Sequence, residues 1–261
     1  MTEPSLPYAR LALPHVTLCA VTSVNVAATI RALEVSLERI DFGACKLFTD
    51  AAVRPGHPGI VVVPIPRISS SRAYSDFMLL QLVDHIKTTH CLVVQWDGHV
   101  LDAERWRTDF LDHDYIGASW PQFQDGHDVG NGGFSLRSRR LMEACRDLAF
   151  QPYHPEDVAI GRLNREWLER KGMRFASSAL ADLFSTERTG DIYASFGYHG
   201  AWLMPRAIGI KKFWQIYMGL DDRSTIRHDF AAIFKQIRRG HGGWKRALNL
   251  TLDQLACRLR Q

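Results

Sequence analysis

Four short strings hold the residue types that could do chemistry. Asp97 sits in Gln95–Trp96–Asp97–Gly98, directly after the apolar run Cys91–Val94. A carboxylate leaving the end of a buried strand can bind a divalent metal or a ribose hydroxyl. Asp-Gly is also a common turn pair, so the dipeptide by itself reads equally as a turn acid. Glu156 and Asp157 follow Pro155. Acids in a first helical turn interact favourably with the helix dipole, which is the plain reading. The sharper one is a general base held at hydrogen-bond distance from an attacking hydroxyl. Gly130–Asn131–Gly132–Gly133 has three glycines within four residues. It is either a flexible connection or a place where a substrate approaches the backbone closely. His199 lies between Tyr198 and Gly200 in an aromatic loop. Imidazole pairs with carboxylates around Mn²⁺ or Zn²⁺, although a lone loop histidine is more often simply exposed. His127 and His154 invite the same idea in weaker contexts.

Other chemistries lack their signatures. There is no GxxxxGK[ST] and no GxGxxG after a first strand, which argues against P-loop nucleotidases and classical dehydrogenases. There is no HExxH, which argues against a zinc hydrolase of that type. The five cysteines show no CxxC pair or zinc spacing and are read as core residues without disulfides.

The elements that must position these residues follow from hydrophobic periodicity. His15–Val24, Ala44–Phe48, Gly59–Ile65 and Cys91–Gln95 read as apolar strands. Val26–Ile40, with Asn25 as its cap, and Ser71–Lys87 read as the helices between them. Continuous apolar strands alternating with helices imply a mainly parallel sheet buried on both faces. Ligands of such sheets bind outside the carboxyl ends of the strands. That rule selects Thr22–Asn25, Thr49–Asp50 and Trp96–Gly98 as a candidate rim, with Thr22 and Asp50 placed to hold a base and ribose. Further on, Asp114–Trp120, Phe134–Arg137 and Arg174–Ala176 read as strands. Ser138–Arg146, capped by Ser138, and a helix opening at His154 and ending at Gly172 complete the middle. Leu180–Phe184 is short and ambiguous, and Phe196–Trp202 reads as a loop.

Composition sets the outer bounds. The 261 residues are 46% hydrophobic and 23% charged, which excludes disordered, collagen-like and coiled-coil chains. No apolar run approaches the ~20 residues needed to span a bilayer. Met1–Pro14 carries Glu3 and no apolar core of a signal peptide, so the expectation is a cytoplasmic chain. The net charge of +4 is uneven: residues 223–261 hold nine Lys/Arg and two Asp, a net of +7, leaving −3 for residues 1–222. Nucleic-acid binding by the whole chain therefore has little support.

Taken together, QWDG, DYIGASWPQF, GHDVGNGGFSLRSRRLMEAC, HPEDVAIGR and FGYHG resemble the bacterial DUF5672 family, whose members look like GT-A-type glycosyltransferases. The resemblance spans roughly residues 15–205. It implies a GT-A-like α/β fold, Rossmann-like, in residues 1–222. It also implies transfer of a sugar from a nucleotide-diphosphate donor to a hydroxyl acceptor, with inversion. The DxD-type metal motif falls on Gln95–Trp96–Asp97, where Gln95 stands in place of the first acid. The xED motif falls on Pro155–Glu156–Asp157, making Asp157 the candidate base and Glu156 its neighbour. His199 matches a late metal-site histidine, so Asp97 and His199 would hold Mn²⁺ or Mg²⁺. Gly132 and Gly133 would lie against the donor sugar.

Two rival readings stay open. One is a degenerate nucleotide- or glycan-binding module, suggested by Gln95. The other is a nucleotidyltransferase, disfavoured because Thr22–Ser23–Val24–Asn25 has no Gly, Lys or Arg. Residues 223–261 read as a basic extension of two amphipathic helices, Asp229–Arg239 and Trp244–Arg260. In the second, Trp244, Leu248, Leu252, Leu255 and Leu259 form one stripe. The extension either packs on the core or rests on an anionic membrane, which would suit a lipid-linked or cell-surface glycan acceptor.

Overall fold

The computed structural model describes residues 10–240 and 242–259. The expected leader-free segment at residues 1–9 and the expected helix end at Arg260 lie outside the described residues. Strand β1 (Leu11–Val21) is followed by helix α1 (Val26–Leu37), β2 (Ile40–Thr49), β3 (Ile60–Pro64), α2 (Ser71–Leu80), α3 (Leu82–His85) and β4 (His90–Val93). Next come β5 (Tyr115–Ile116), β6 (Ser135–Ser138), α4 (Arg139–Ala144), α5 (Glu156–Val158), α6 (Arg165–Arg170), α7 (Ser178–Phe184), β7 (Ser185–Thr186) and β8 (Gly197–Tyr198). The remainder is helical: α8 (Met204–Ala207), α9 (Ile210–Met218), α10 (Phe230–Ile237) and α11 (Gly243–Leu259).

The main sheet has the order β3-β2-β1-β4-β6-β5. β1 to β4 run parallel, and β6 is antiparallel to both β4 and β5. This is the expected mainly parallel sheet flanked by helices. Alternation along β1 and β4 explains why their inner stretches, Val16–Val21 and Cys91–Val93, are buried on both faces and, Thr17 apart, apolar. Leu18, Ala20 and Leu92 face one layer with Leu33 and Leu37 of α1. Cys19, Val21, Cys91 and Val93 face the other with Phe77, Met78 and Leu82. All five cysteines are free, and four of them are buried.

Several elements differ from the periodic pattern for identifiable reasons. β1 begins at Leu11, with Pro14 accommodated by a register shift between Leu13 and Thr17. α1 ends at Leu37 and Ile40 belongs to β2. Asn25 is left-handed and its side chain does not cap α1. Of the expected strand Asp114–Trp120, only Tyr115–Ile116 joins the sheet. The rest peels away to pair with the glycine-rich loop: the Trp120 amide donates to the Asp128 carbonyl (2.7 Å) and the Gly130 amide to the Ala118 carbonyl (3.0 Å). The helix expected from His154 to Lys171 is interrupted by a π-helical turn at Ala159–Leu163. Asn164 causes this locally, since its backbone amide and side-chain amide both donate to the Ala159 carbonyl. Leu180–Phe184 is helical, within α7, and Arg174–Ala176 contributes only a bridge between Phe175 and Tyr115. Ser138 caps α4 as expected, accepting from the Leu141 amide at 3.0 Å.

The basic extension packs on the body. Ile233 and Ile237 of α10 and Leu250 of α11 join a second core with Ala28, Tyr198, Met204, Phe213 and Tyr217. No helix among the described residues is long and apolar enough to cross a membrane.

Candidate active site

The antiparallel strand β6 is what assembles the site. Val93, the last residue of β4, pairs with Ser135, the first of β6. The carboxyl end of β4, which continues into Gln95–Trp96–Asp97, therefore meets the amino end of β6, which is preceded by Gly132–Gly133. Two adjoining cavities of about 660 and 440 Å³ open there and share Ser71, Tyr74 and Gln95. The larger holds Gly132, Gly133, Glu156, Asp157, Glu187, Arg188 and His199. The smaller is lined by Thr22, Ser23, Ser70, Trp96, Asp222 and Thr225. A cavity of about 780 Å³ at the opposite end of β4 holds Asp114, but that carboxylate is already engaged by Ser138, Arg140 and the Arg174 amide.

His199 is fixed on one wall. Its amide donates to the Thr186 carbonyl of β7, and the following Gly200 amide donates to the Asp97 carbonyl, so the loop lies directly on the Gln95–Gly98 turn. Ring nitrogen Nδ1 faces Glu187 Oε1 at 3.4 Å. Nε2 faces Gln95 Oε1 at 3.2 Å and Asp97 Oδ1 at 3.5 Å. Burial alone would lower the imidazole's pKa, but Asp97 and Glu187 outweigh it and hold the group well above its ordinary value. Gln95 is oriented in turn by donating its amide N–H to the Tyr74 hydroxyl (3.0 Å). Gly133 has no side chain because a Cβ there would overlap the His199 ring.

Among the described residues there is no cluster of three or more His, Cys, Asp or Glu arranged to hold a metal ion. Asp97, the Gln95 amide oxygen and His199, once a cation displaces the proton from its Nε2, nonetheless form a mixed donor set. Asp97 Oδ1 is buried without a hydrogen-bond partner. Glu187 on the far ring nitrogen orients Nε2 towards that atom, as a carboxylate behind a metal-binding histidine does. This set fits a hard divalent cation, with one amide where a second carboxylate would bind more strongly.

The opposite wall is Pro155–Glu156–Asp157. Glu156 is locked to Arg137 of β6 at 2.9 Å, with side-chain exposures of 6% and 1%. Arg137 also donates to Ser135 Oγ and the Gly132 carbonyl. Glu156 thus ties α5 to the glycine loop, and a Cβ on Gly132 would collide with its carboxylate. Asp157 turns towards the cavity, and its Oδ1 accepts from the Val158 amide at 2.8 Å. Burial, and then repulsion from Glu156, raise its pKa to about 6.

Of the sequence candidates, Asp157, Glu156, Gln95, Gly132, Gly133 and His199 line one cavity, with Asp97 against His199. Thr22 and Trp96 line the adjoining one. Asp50 is exposed and lines neither. Sequence reasoning missed Tyr74, Arg137, Glu187, Arg188 and Asn131. Asn131 is left-handed, accepts the Gly133 amide through Oδ1 (3.0 Å), and leaves Nδ2 buried without a partner beside the cavity. A non-glycine residue between glycines was the available signal. Arg137 lies inside the quoted GNGGFSLRSRRL string but was read only as part of a strand, and Tyr74, Glu187 and Arg188 lie on elements with no motif of their own.

The fold and site define a mainly parallel α/β protein with an acid/base-capable cleft at the carboxyl ends of its strands. The chain belongs to the family described as Protein of unknown function (DUF5672), which matches residues 59–199. Among solved structures it is similar to the mannosyltransferase PcManGT from Pyrobaculum calidifontis in complex with GDP-Man and Mn²⁺. Identity is 12%, covering 95% of this chain and 72% of that one, with a TM-score of 0.46. It is also similar to the apo-form glycosyltransferase GlyE of Streptococcus pneumoniae TIGR4: 12% identity, 86% of this chain, 64% of that chain, TM-score 0.42. The chain thus spans under two thirds of GlyE. No curated protein matches the sequence.

Proposed function

We propose that the chain is an inverting glycosyltransferase that moves a sugar from a nucleotide-diphosphate donor to a hydroxyl acceptor on a cell-surface or lipid-linked glycan. The observation that carries this reading is one cavity with a carboxylate of pKa about 6 on one wall and the Asp97–Gln95–His199 set on the other, with glycines between. In this reading Thr22 and Trp96 hold the nucleoside, and Asp50, which lines neither cavity, has no part in it. Gly132 and Gly133 let the donor sugar lie against the backbone. Asp157 takes the acceptor proton as the acceptor oxygen bonds to the anomeric carbon. The bond to the diphosphate breaks on the opposite face, and the configuration inverts. Glu156 holds Asp157 in place through its pair with Arg137. Asp97, His199 and Gln95 would hold Mn²⁺ or Mg²⁺, which when bound neutralises charge developing on the diphosphate. Arg188 supplies a protein cation on the same rim. The reading places the chain in the cytoplasm.

A second reading is a nucleotide- or glycan-binding module without turnover, favoured by Gln95 in place of an acid. The separating experiment is thermal shift against nucleotide diphosphates and nucleotide sugars, with and without Mn²⁺ or Mg²⁺, followed by product analysis. A ligand at 100 times its Kd adds ~2.7 kcal/mol, a readable rise in Tm. Metal-dependent stabilisation with sugar transfer supports the transferase. Stabilisation without product under any metal supports the module. No stabilisation by any nucleotide removes the transferase reading. Asp97→Asn is expected to lose metal-dependent stabilisation and activity together, and full activity would take Asp97 out of the mechanism.

A further inference from the structure

Trp244, Leu248, Leu252 and Leu255 of the sequence stripe on α11 do not face the core. Gly243, Ala247, Leu250 and Gln254 are buried along this helix. Trp244, Leu248, Leu252 and Leu255 are 72%, 59%, 54% and 49% exposed. At 3.6 residues per turn these four positions fall within about 80° of the helix circumference, so they form one continuous apolar strip. Large apolar residues scattered singly on a surface need no explanation, but a contiguous strip does.

The surrounding charge indicates what covers the strip. Arg238, Arg239 and Lys245 are exposed around its amino end. From residue 230 onward the only acid is Asp253, which is paired with Arg223 at 2.8 Å. A second copy of the chain docked through this face would bring two basic extensions together, which opposes self-association. An anionic surface has the complementary charge. We propose that this face of α11 docks on an anionic lipid surface, with Trp244 and the leucines in the headgroup region and Arg238, Arg239 and Lys245 over lipid phosphates. α11 also braces the cleft. Gln254 donates to the Arg223 carbonyl (2.7 Å), at the start of the segment that supplies Thr225 to the smaller cavity. A docked membrane would therefore stand one helix away from the site. The docking itself does not rest on the transferase reading.

The test is co-sedimentation of the full chain, without substrate, with neutral phosphatidylcholine vesicles and with vesicles containing phosphatidylglycerol. The expected result is binding to the anionic vesicles only, weakening as salt rises. Leu248→Glu/Leu252→Glu should weaken it at least about tenfold with Tm unchanged. Arg239→Glu/Lys245→Glu, which leaves the apolar strip intact, should weaken it in the same direction. Equal binding to neutral vesicles, no binding to either, or wild-type binding by both double variants would overturn the proposal. So would a concentration-dependent dimer that Leu248→Glu/Leu252→Glu abolishes, since the strip would then belong to a second copy.

Discussion

Asp157 and Glu156 are neighbours in sequence with opposite environments. Glu156 faces a buried guanidinium, while Asp157 faces a cavity and is repelled by Glu156. A base with a pKa of about 6 is deprotonated at neutral pH yet still basic enough to accept a proton. Activity is therefore expected to fall as pH drops through about 6, and Asp157→Asn should lower kcat by roughly 10²–10⁴ with little change in donor KM. Stability carries the opposite sign. The folded pKa lies above the unfolded value of 3.8, so the folded state keeps its proton longer, and the advantage is lost as pH rises through about 6. Asp157→Asn should consequently be more stable than the parent above pH 6, on the order of 2 kcal/mol, with the gap closing below pH 4. Urea melts at pH 4 and pH 8 check this, and an equal difference at both would remove the burial argument. Arg137→Met should cost roughly 3–5 kcal/mol, because it strands Glu156 in the interior. A loss under 1 kcal/mol in the same melts would mean water reaches Glu156.

At the scale of elements, the site depends on strand direction and on absent side chains. β6 runs antiparallel to β4, and this brings residues 132–133 beside residues 95–97. Gly133→Ala would drive a methyl group into the His199 ring, which is held between Thr186, Glu187 and Gln95. The expected outcome is a protein destabilised by ~1–3 kcal/mol, with metal-dependent nucleotide binding lost first. Isothermal titration with nucleotide and Mn²⁺ would read it, and unchanged binding would mean that His199 can move without consequence. The sequence supported these elements unevenly. β1 and β4 were legible because burial on both faces makes their inner stretches apolar, whereas β2 carries Asp41 and Lys46 and β3 is a half-exposed edge strand. β5 is shorter than its sequence suggests because the stretch from Tyr115 to Trp120 leaves the sheet after two residues to pair with Val129 and Gly130. Asn25 had the right residue type for a helix cap, but its amide bonds Asp222 and Thr225, nearly 200 residues away. No local pattern announces such a partner.

Across the whole molecule, the basic extension is part of one packed body. The Asp222 amide donates to Asn25 Oδ1 and the Asn25 amide to Asp221 Oδ1 just before the extension, and the Asn25 side chain reaches Thr225 within it, at the edge of the smaller cavity. Ending the chain at residue 222 would uncover Phe213 and Tyr217, each worth ~1.5–3 kcal/mol of burial, and would remove Thr225 from the cleft. The expected outcome is loss of cooperative thermal unfolding. A truncated chain that melts like the parent and still binds nucleotide would show that the extension is dispensable.

The sequence by itself determined the layered α/β class, the cleft at the strand ends, and the acids, glycines and histidine that meet there. Those features are written in local periodicity and short motifs, which depend on neighbours within a few residues. Only the tertiary structure decided which acid is free. It pairs Glu156 with Arg137 and leaves Asp157 in the cavity, it adds Glu187 and Tyr74 from elements with no motif, and it picks Asn131 out of the glycine string. It also turned the Trp244–Leu255 stripe outward, a choice between core and surface that periodicity left open. A stripe records that a helix has an apolar face, whereas what that face meets depends on the space left by every other element.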